Sequence, residues 1–237
     1  GNAVGGESNA TQIAGFVNTN KSKTTGNQIA GFVNVVADEM TGLQLSGFNN
    51  VATKTVGAQI TGFVNVASKG VKGLQLAGFN NTTTGLNGMQ ISGFYNKARE
   101  MDGVQVSGFI NHAKTLKGIQ FGIVNIADTV ESGATIGLIN IVRKGLHQFA
   151  IGNNDVTDVN LEFRMGTPKF YSILSAGIQA KDDFLWSYGF GFGKQIDLYK
   201  KLHTNLELTS HVVNHKNEYP DEINLLSRFK LNFGYQL

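Results

Sequence analysis

An all-β chain, built on a parallel β-solenoid of about nine 15–16-residue repeats and followed by an antiparallel β-meander, is the fold class that this sequence predicts. The first observation is a set of recurring landmarks. Glutamine stands at 12, 28, 44, 59, 75, 90, 105 and 120, and asparagine at 18, 34, 50, 65, 81, 96, 111, 125 and 140. Between them, Gly-Phe pairs start at 15, 31, 47, 62, 78, 93 and 108. The second is where length varies. Glutamine to asparagine is six residues in seven consecutive copies, while the nine or ten residues to the next glutamine absorb every insertion. The third is composition: thirty glycines and only two prolines in 237 residues suit strands joined by tight turns.

The constant spacing identifies the strand segment, because a one-residue slip within a strand turns every side chain to the opposite face. Gln44, Ser46, Phe48, Asn50 and Ala52 share one parity and hardly change between copies. They are expected inside, each stacked on its equivalents, so that Phe32, Phe48, Phe63, Phe79, Phe94 and Phe109 form one internal column. Buried amides need partners. Gln28, Gln44, Gln59, Gln75, Gln90 and Gln105, with Asn34, Asn50, Asn65, Asn81, Asn96 and Asn111, supply them to one another as ladders about 4.8 Å per step. Asn18, at the end of the stack, is expected to matter less than Asn65. Each coil is read as two short strands, with its glycine easing the corner before phenylalanine. Nine such coils make a rod roughly 43 Å long.

The opposite parity varies. Asn49, Val64, Asn80, Tyr95 and Ile110 are expected to be exposed, while Met40, Leu86, Met101 and Leu116, two before a glycine, put one buried residue in each turn. The alternative is a single up-and-down antiparallel β-barrel with one strand per repeat and the Gln, Ser and Asn column facing a lumen. Successive turns of such a barrel lie at opposite ends and differ, whereas the turns here resemble one another.

Residues 9–143 are thus one domain and 144–237 another. At the boundary Thr135-Ile-Gly-Leu-Ile-Asn140 loses its glutamine and phenylalanine, and Ile136, Leu138, Ile139 and Ile141 are expected to be buried by the tail. The tail alternates as five strands with one apolar face. Val159, Leu161, Phe163 and Met165 oppose Asp158, Asn160, Glu162 and Arg164. Phe170, Leu174, Ala176 and Ile178 follow, then Trp186, Tyr188, Phe190 and Phe192 opposite Gly189, Gly191 and Gly193. Leu206, Leu208 and Val212 continue the face, and Ile223, Leu225, Phe229, Leu231, Phe233 and Tyr235 close it against Arg228 and Lys230. The glycine face leaves room for an aromatic ring or another backbone.

Little chemistry is encoded. Net charge is +3 with no basic stripe, which argues against nucleic acid. Cysteine is absent, so disulfides and thiolate sites are excluded. His211 and His215 have the spacing of two zinc ligands on a helix, yet they sit on a strand, where they lie roughly 13 Å apart. The Gly189, Gly191, Gly193 run lacks the helix and acid of a dinucleotide loop. Asp38, Glu39, Glu100, Asp102, Asp128 and Glu131 fall in turns and form no paired column, and a slim coil offers little cleft. No metal, cofactor or catalytic residue is expected.

The motif Gly-x-Gln-(Ile/Leu/Val)-x-Gly-Phe-x-Asn-x-Ala, drifting to Gly-Leu-Ile-Asn-Ile and then to amphipathic strands, resembles a bacterial surface-repeat family of Bacteroidetes and spirochaetes. The tail is similar to the last hairpins of outer-membrane β-proteins, although those usually finish on an aromatic residue and this chain finishes Tyr-Gln-Leu. The resemblance implies an extracytoplasmic place, at the cell surface or outer membrane, and no activity. The expected role is structural, adhesive or ligand-displaying, toward a surface protein or glycan. Outer-membrane association, as a pore or anchor, is the alternative.

Overall fold

Each landmark of the repeat pairs with its own equivalent in the next copy. In the computed structural model, which describes residues 1–153, 156–180, 184–215 and 224–235, Gln44 stands against Gln59, Gly57 against Gly73 and Asn50 against Asn65, all parallel. The chain divides into two compact units, Gly1–Gly133 and Ala134–Leu237.

Short strands β1 (Asn2–Val4), β2 (Gln12–Ala14), β3 (Val17–Asn20) and β4 (Thr24–Ala30) open the first unit. One long strand per repeat follows: β5 (Val33–Ser46), β6 (Asn49–Thr61), β7 (Val64–Ala77), β8 (Asn80–Ser92), β9 (Tyr95–Ser107), β10 (Ile110–Phe121) and β11 (Val124–Ile136). They hydrogen-bond in sequence order. The parallel β-solenoid is therefore the architecture, and the antiparallel barrel is excluded.

Each coil has three sides, where two strands were expected. In β6 the buried positions are Asn50, Ala52, Thr55, Gln59 and Thr61, and strict alternation breaks after Ala52, after Thr55 and after Thr61. Each break is a corner. At the first, the pairing register slips between Ala52 and Lys54 and again between Ala67 and Val71, so this corner takes up the difference between 15 and 16 residues. At the second stands Gly57, with φ +127° and with the place of a Cβ only 2.2 Å from the Gly42 carbonyl oxygen. Only glycine fits there. The third is the Gly-Phe pair.

That third corner corrects the expected phenylalanine column. Ser46 and Asn50 are both buried while the two consecutive residues Gly47 and Phe48 are exposed, so the chain turns between them and the alternation does not carry Phe48 inward. The asparagine amide fills the inside of the corner, and the ring goes out. Phe32 to Phe109 are 37–42% exposed, stacked from Phe16 onward with centroids 4.8–5.3 Å apart. Apolar burial comes instead from small or flexible residues: Ala52, Ala67, Ala98 and Ala113, with Met40, Leu86, Met101 and Leu116 two before the corner glycine.

In the second unit β12 (Ile139–Val142) precedes six antiparallel strands in meander order: β13 (Leu146–Gly152), β14 (Val159–Thr167), β15 (Phe170–Gln179), β16 (Leu185–Tyr199), β17 (Leu202–His215) and β18 (Leu225–Tyr235). β13 is the strand that the reading of five missed; Ile223 lies outside the described residues. Leu138 and Ile141 remain exposed, contrary to expectation. What is held instead is polar, for Asn140 donates to Gly137 O at 2.9 Å and to Ser172 Oγ on β15.

The two glycine types give a paired test. Gly57→Ala should cost about 2 kcal/mol or more through strain and overlap together. Gly70→Ala, whose nearest new neighbour would be Gly85 O at 3.5 Å, should stay within about 0.5 kcal/mol of the parent. Urea unfolding of the two variants measures this, and equal losses would show that the corner glycines are not the constraint.

Candidate functional site

The residues singled out in the sequence form a spine. Asn65 Nδ2 donates to Gln59 O (3.1 Å), to Leu76 O (2.8 Å) and to Asn81 Oδ1 (2.9 Å), while Asn65 Oδ1 accepts from Asn50 (3.0 Å). Gln59 Nε2 donates to Gln44 Oε1 (2.7 Å) and Val66 O (3.3 Å). Asparagines therefore donate toward the following coil and glutamines toward the preceding one. Equivalent side-chain bonds join Gln28, Gln44, Gln75, Gln90 and Gln105, and Asn34, Asn50, Asn81, Asn96 and Asn111. All are 0% exposed. They line no lumen, which removes the geometry that a pore through the repeats needed.

Asn18 is not a free end. It makes the same bonds to Gln12 O, Ile29 O and Asn34 Oδ1, and it accepts from Asn2 Nδ2 at 2.8 Å. β1 adds the coil that the repeat pattern did not reveal, because Asn2 lacks the flanking Gln and Gly-Phe. At the other end Gln120 Oε1 has no partner.

Charge collects near the first corner. Glu39 sits between Lys54 (2.5 Å) and Lys23 (3.2 Å), whose hydrogen bonds hold its carboxyl down at about 2. Farther along, Gly70 and Gly85 lack side chains and open a groove of about 590 Å³ between Lys69 and Lys72 on one side and Glu100 and Asp102 on the other. This cleft was not expected, since a slim coil offers little room for one. Glu100 stands in register with Gly85 and Thr115, and Asp102 with Asn87 and Lys117, so carboxylates do not face each other across coils.

The second unit reverses the expected orientation of its sheet. Glu162, Glu207, Asn160 and His211 on the polar face are buried, whereas Leu161, Tyr188, Leu208, Phe229, Leu231 and Phe233 on the apolar face are more than half exposed. Arg164 binds Glu207 through Nε (2.7 Å) and Nη2 (3.1 Å) and Glu162 through Nη2 (2.6 Å). Tyr171 donates to Glu207 at 2.9 Å, and Lys230 on β18 reaches Glu162 on β14. Two carboxylates and two cations make a balanced network, formed because the sheet curls its polar face inward. The glycine face of β16 is where rings approach: Cβ positions at Gly193 and Gly189 would lie 2.3 Å and 2.6 Å from the Tyr171 and His211 rings.

His211 and His215 both lie on β17, and His211 is engaged by Ser175 (3.2 Å) and Thr209 (3.0 Å). A cavity of about 290 Å³ opens beside Glu162, Arg164 and Lys230, with Asn160 Oδ1 and Asn205 Oδ1 lacking partners at its wall. Among the described residues no three metal-ligating groups converge. Sequence reasoning missed this network. Its signal was present: Glu162, Arg164, Glu207 and Lys230 share the face of the glycines, and glycines make room on a crowded face, not on an open one. Comparison with family models, curated proteins and solved structures returned no match.

Two measurements test the spine. Asn65→Leu should cost at least 1–3 kcal/mol, since it strands two carbonyls and two amides, and Asn18→Leu should cost a similar amount because its bonds are the same. A clearly smaller loss at Asn18 in urea unfolding would mean that the first coils contribute little. Burial, and then Lys97 alongside, push the His112 imidazole below its ordinary 6.5, against the pull of Asp128. A histidine lowered in the folded state stabilises above the unfolded value, and this contribution is lost as pH falls through 6.5. The unfolding midpoint should therefore drop between pH 8 and pH 5.5 more in the parent than in His112→Thr. Parallel pH profiles would refute it.

Proposed function

We propose that this chain is a non-enzymatic repeat protein of the bacterial cell envelope, in which the solenoid is a rigid display element and the C-terminal sheet associates with the outer membrane. One observation carries the reading: the sheet hides a charge-balanced polar network and presents aliphatic and aromatic side chains outward. In water that arrangement is costly, because exposed apolar surface costs about 25 cal/mol per Å². Against lipid it is favourable. The reading is association through the outward apolar face of the six antiparallel strands described.

The solenoid supports the display role through its geometry. A backbone paired on both sides along the stack is stiff, and its variable outward positions, Asn49, Val64, Asn80, Tyr95 and Ile110, are set at fixed spacing toward a surface protein or glycan. Balanced charge gives no attraction for nucleic acid.

Vesicle flotation tests the proposal. The full chain should float with phospholipid vesicles, and Leu161→Asp with Phe229→Asp should lower the bound fraction tenfold or more, since each parent side chain contributes roughly 2 kcal/mol when buried in lipid. A parent chain that stays monomeric in detergent-free buffer and does not float would refute membrane association.

A further inference from the structure

The display role leaves the apolar strip of the solenoid unexplained. Beside the phenylalanine ladder run the rows of Leu43, Leu45 and Asn49, and no copy from Asn27 to Ile119 puts a charged residue in any of them. The charges of the same coils collect elsewhere, at Glu39, Lys54, Lys72, Glu100 and Lys117. The solenoid is thus amphipathic in cross-section.

We propose that this strip is where two copies of the chain pack, ridge to ridge and antiparallel, about a two-fold axis at the Phe63 coil. Three observations select a second copy as the occupant. The rings repeat every 4.8–5.3 Å for about 30 Å, and a surface of the same period stays in step over that length. Their planes lie within 24° of one another, so neighbours cover the ring faces and only edges point outward. Sugar stacking needs faces. Six rings about 40% exposed and Phe16 at 62% offer on the order of 500 Å², and the flanking rows, with Leu45, Met89 and Ile119 exposed, bring the strip to the roughly 800 Å² per partner of a stable interface.

The sequence of the strip sets the register. Phe63 is the fourth of the seven stacked rings, and beside it the row Val33, Asn49, Val64, Asn80, Tyr95 places its two amides one coil to either side of Val64. Rotation about an axis at that coil sets Asn49, whose Oδ1 is buried within its own coil and whose Nδ2 is left to donate, against Asn80 of the second copy. A shift of one coil would set Asn80 against Val64 or Val33 and Asn49 against Tyr95 or Val64, so the two amides would no longer meet. The inference uses the solenoid alone and does not depend on membrane association.

The chain has no cysteine, so single cysteines report the geometry without background. Nitroxide labels at Val33→Cys, Val64→Cys and Tyr95→Cys, in the full chain held in detergent micelles, should show intermolecular dipolar coupling. The distance should be shortest at position 64 and equal at 33 and 95, because each coil moves a label and its mate apart by about 10 Å along the axis. Phe63→Lys should abolish the coupling and raise the dimer dissociation constant at least a hundredfold in sedimentation equilibrium, with an unchanged circular dichroism spectrum. Equal distances at all three sites would mean a parallel pairing and overturn the proposal. So would coupling at none, or vesicle binding that Phe63→Lys removes while the chain stays monomeric, which would assign the strip to a lipid surface.

Discussion

Amide-to-amide bonding across one coil spacing is the interaction on which the solenoid depends. An asparagine whose nitrogen bonds carbonyls of its own and the next coil, and whose oxygen takes a bond from the previous asparagine, permits one axial spacing and one register. Other features follow from that choice. The corner glycines have no room for a Cβ because the coils are drawn to this spacing, and the phenyl rings stack because they repeat at the same distance. A core of alanine with single methionines and leucines is thin by globular standards. Buried amides that are fully bonded supply the specificity that a thin apolar core lacks.

The second unit solves the opposite problem. Its interior is ionic, and a buried ion pair stabilises only where each lone pair and proton finds a partner. Glu207 has Arg164, Tyr171 and Asn232 around it, and Glu162 has Arg164, Asn160 and Lys230. The space for the Tyr171 and His211 rings on the same face comes from the glycines of β16, so a run that resembles a nucleotide loop in sequence is a device for packing.

How far the residues alone revealed this structure differs between the two parts. Period, parallel stacking, amide ladders and the buried residue before each glycine were all legible, because repetition shows which positions tolerate no change. Constancy does not tell inside from outside: Phe48 is as constant as Asn50, yet the corner at Gly47 turns it outward. Alternation has the same ambiguity in the tail. It separates Leu161 from Glu162 without saying which of them faces solvent, since the solvent itself is unspecified. Asn2 and β13 were invisible for a simpler reason, the absence of the flanking pattern.

The opposed directions of the two side-chain ladders have an electrical consequence. A column of aligned amides is a row of dipoles, and a single column would build up potential at its ends as a helix does. Here the glutamine column points one way along the axis and the asparagine column the other, so their fields largely cancel in every coil. The side-chain ladders therefore leave little net charge at either end of the stack. A gene that duplicates this 15- or 16-residue unit lengthens the rod without adding a net axial dipole from these side chains.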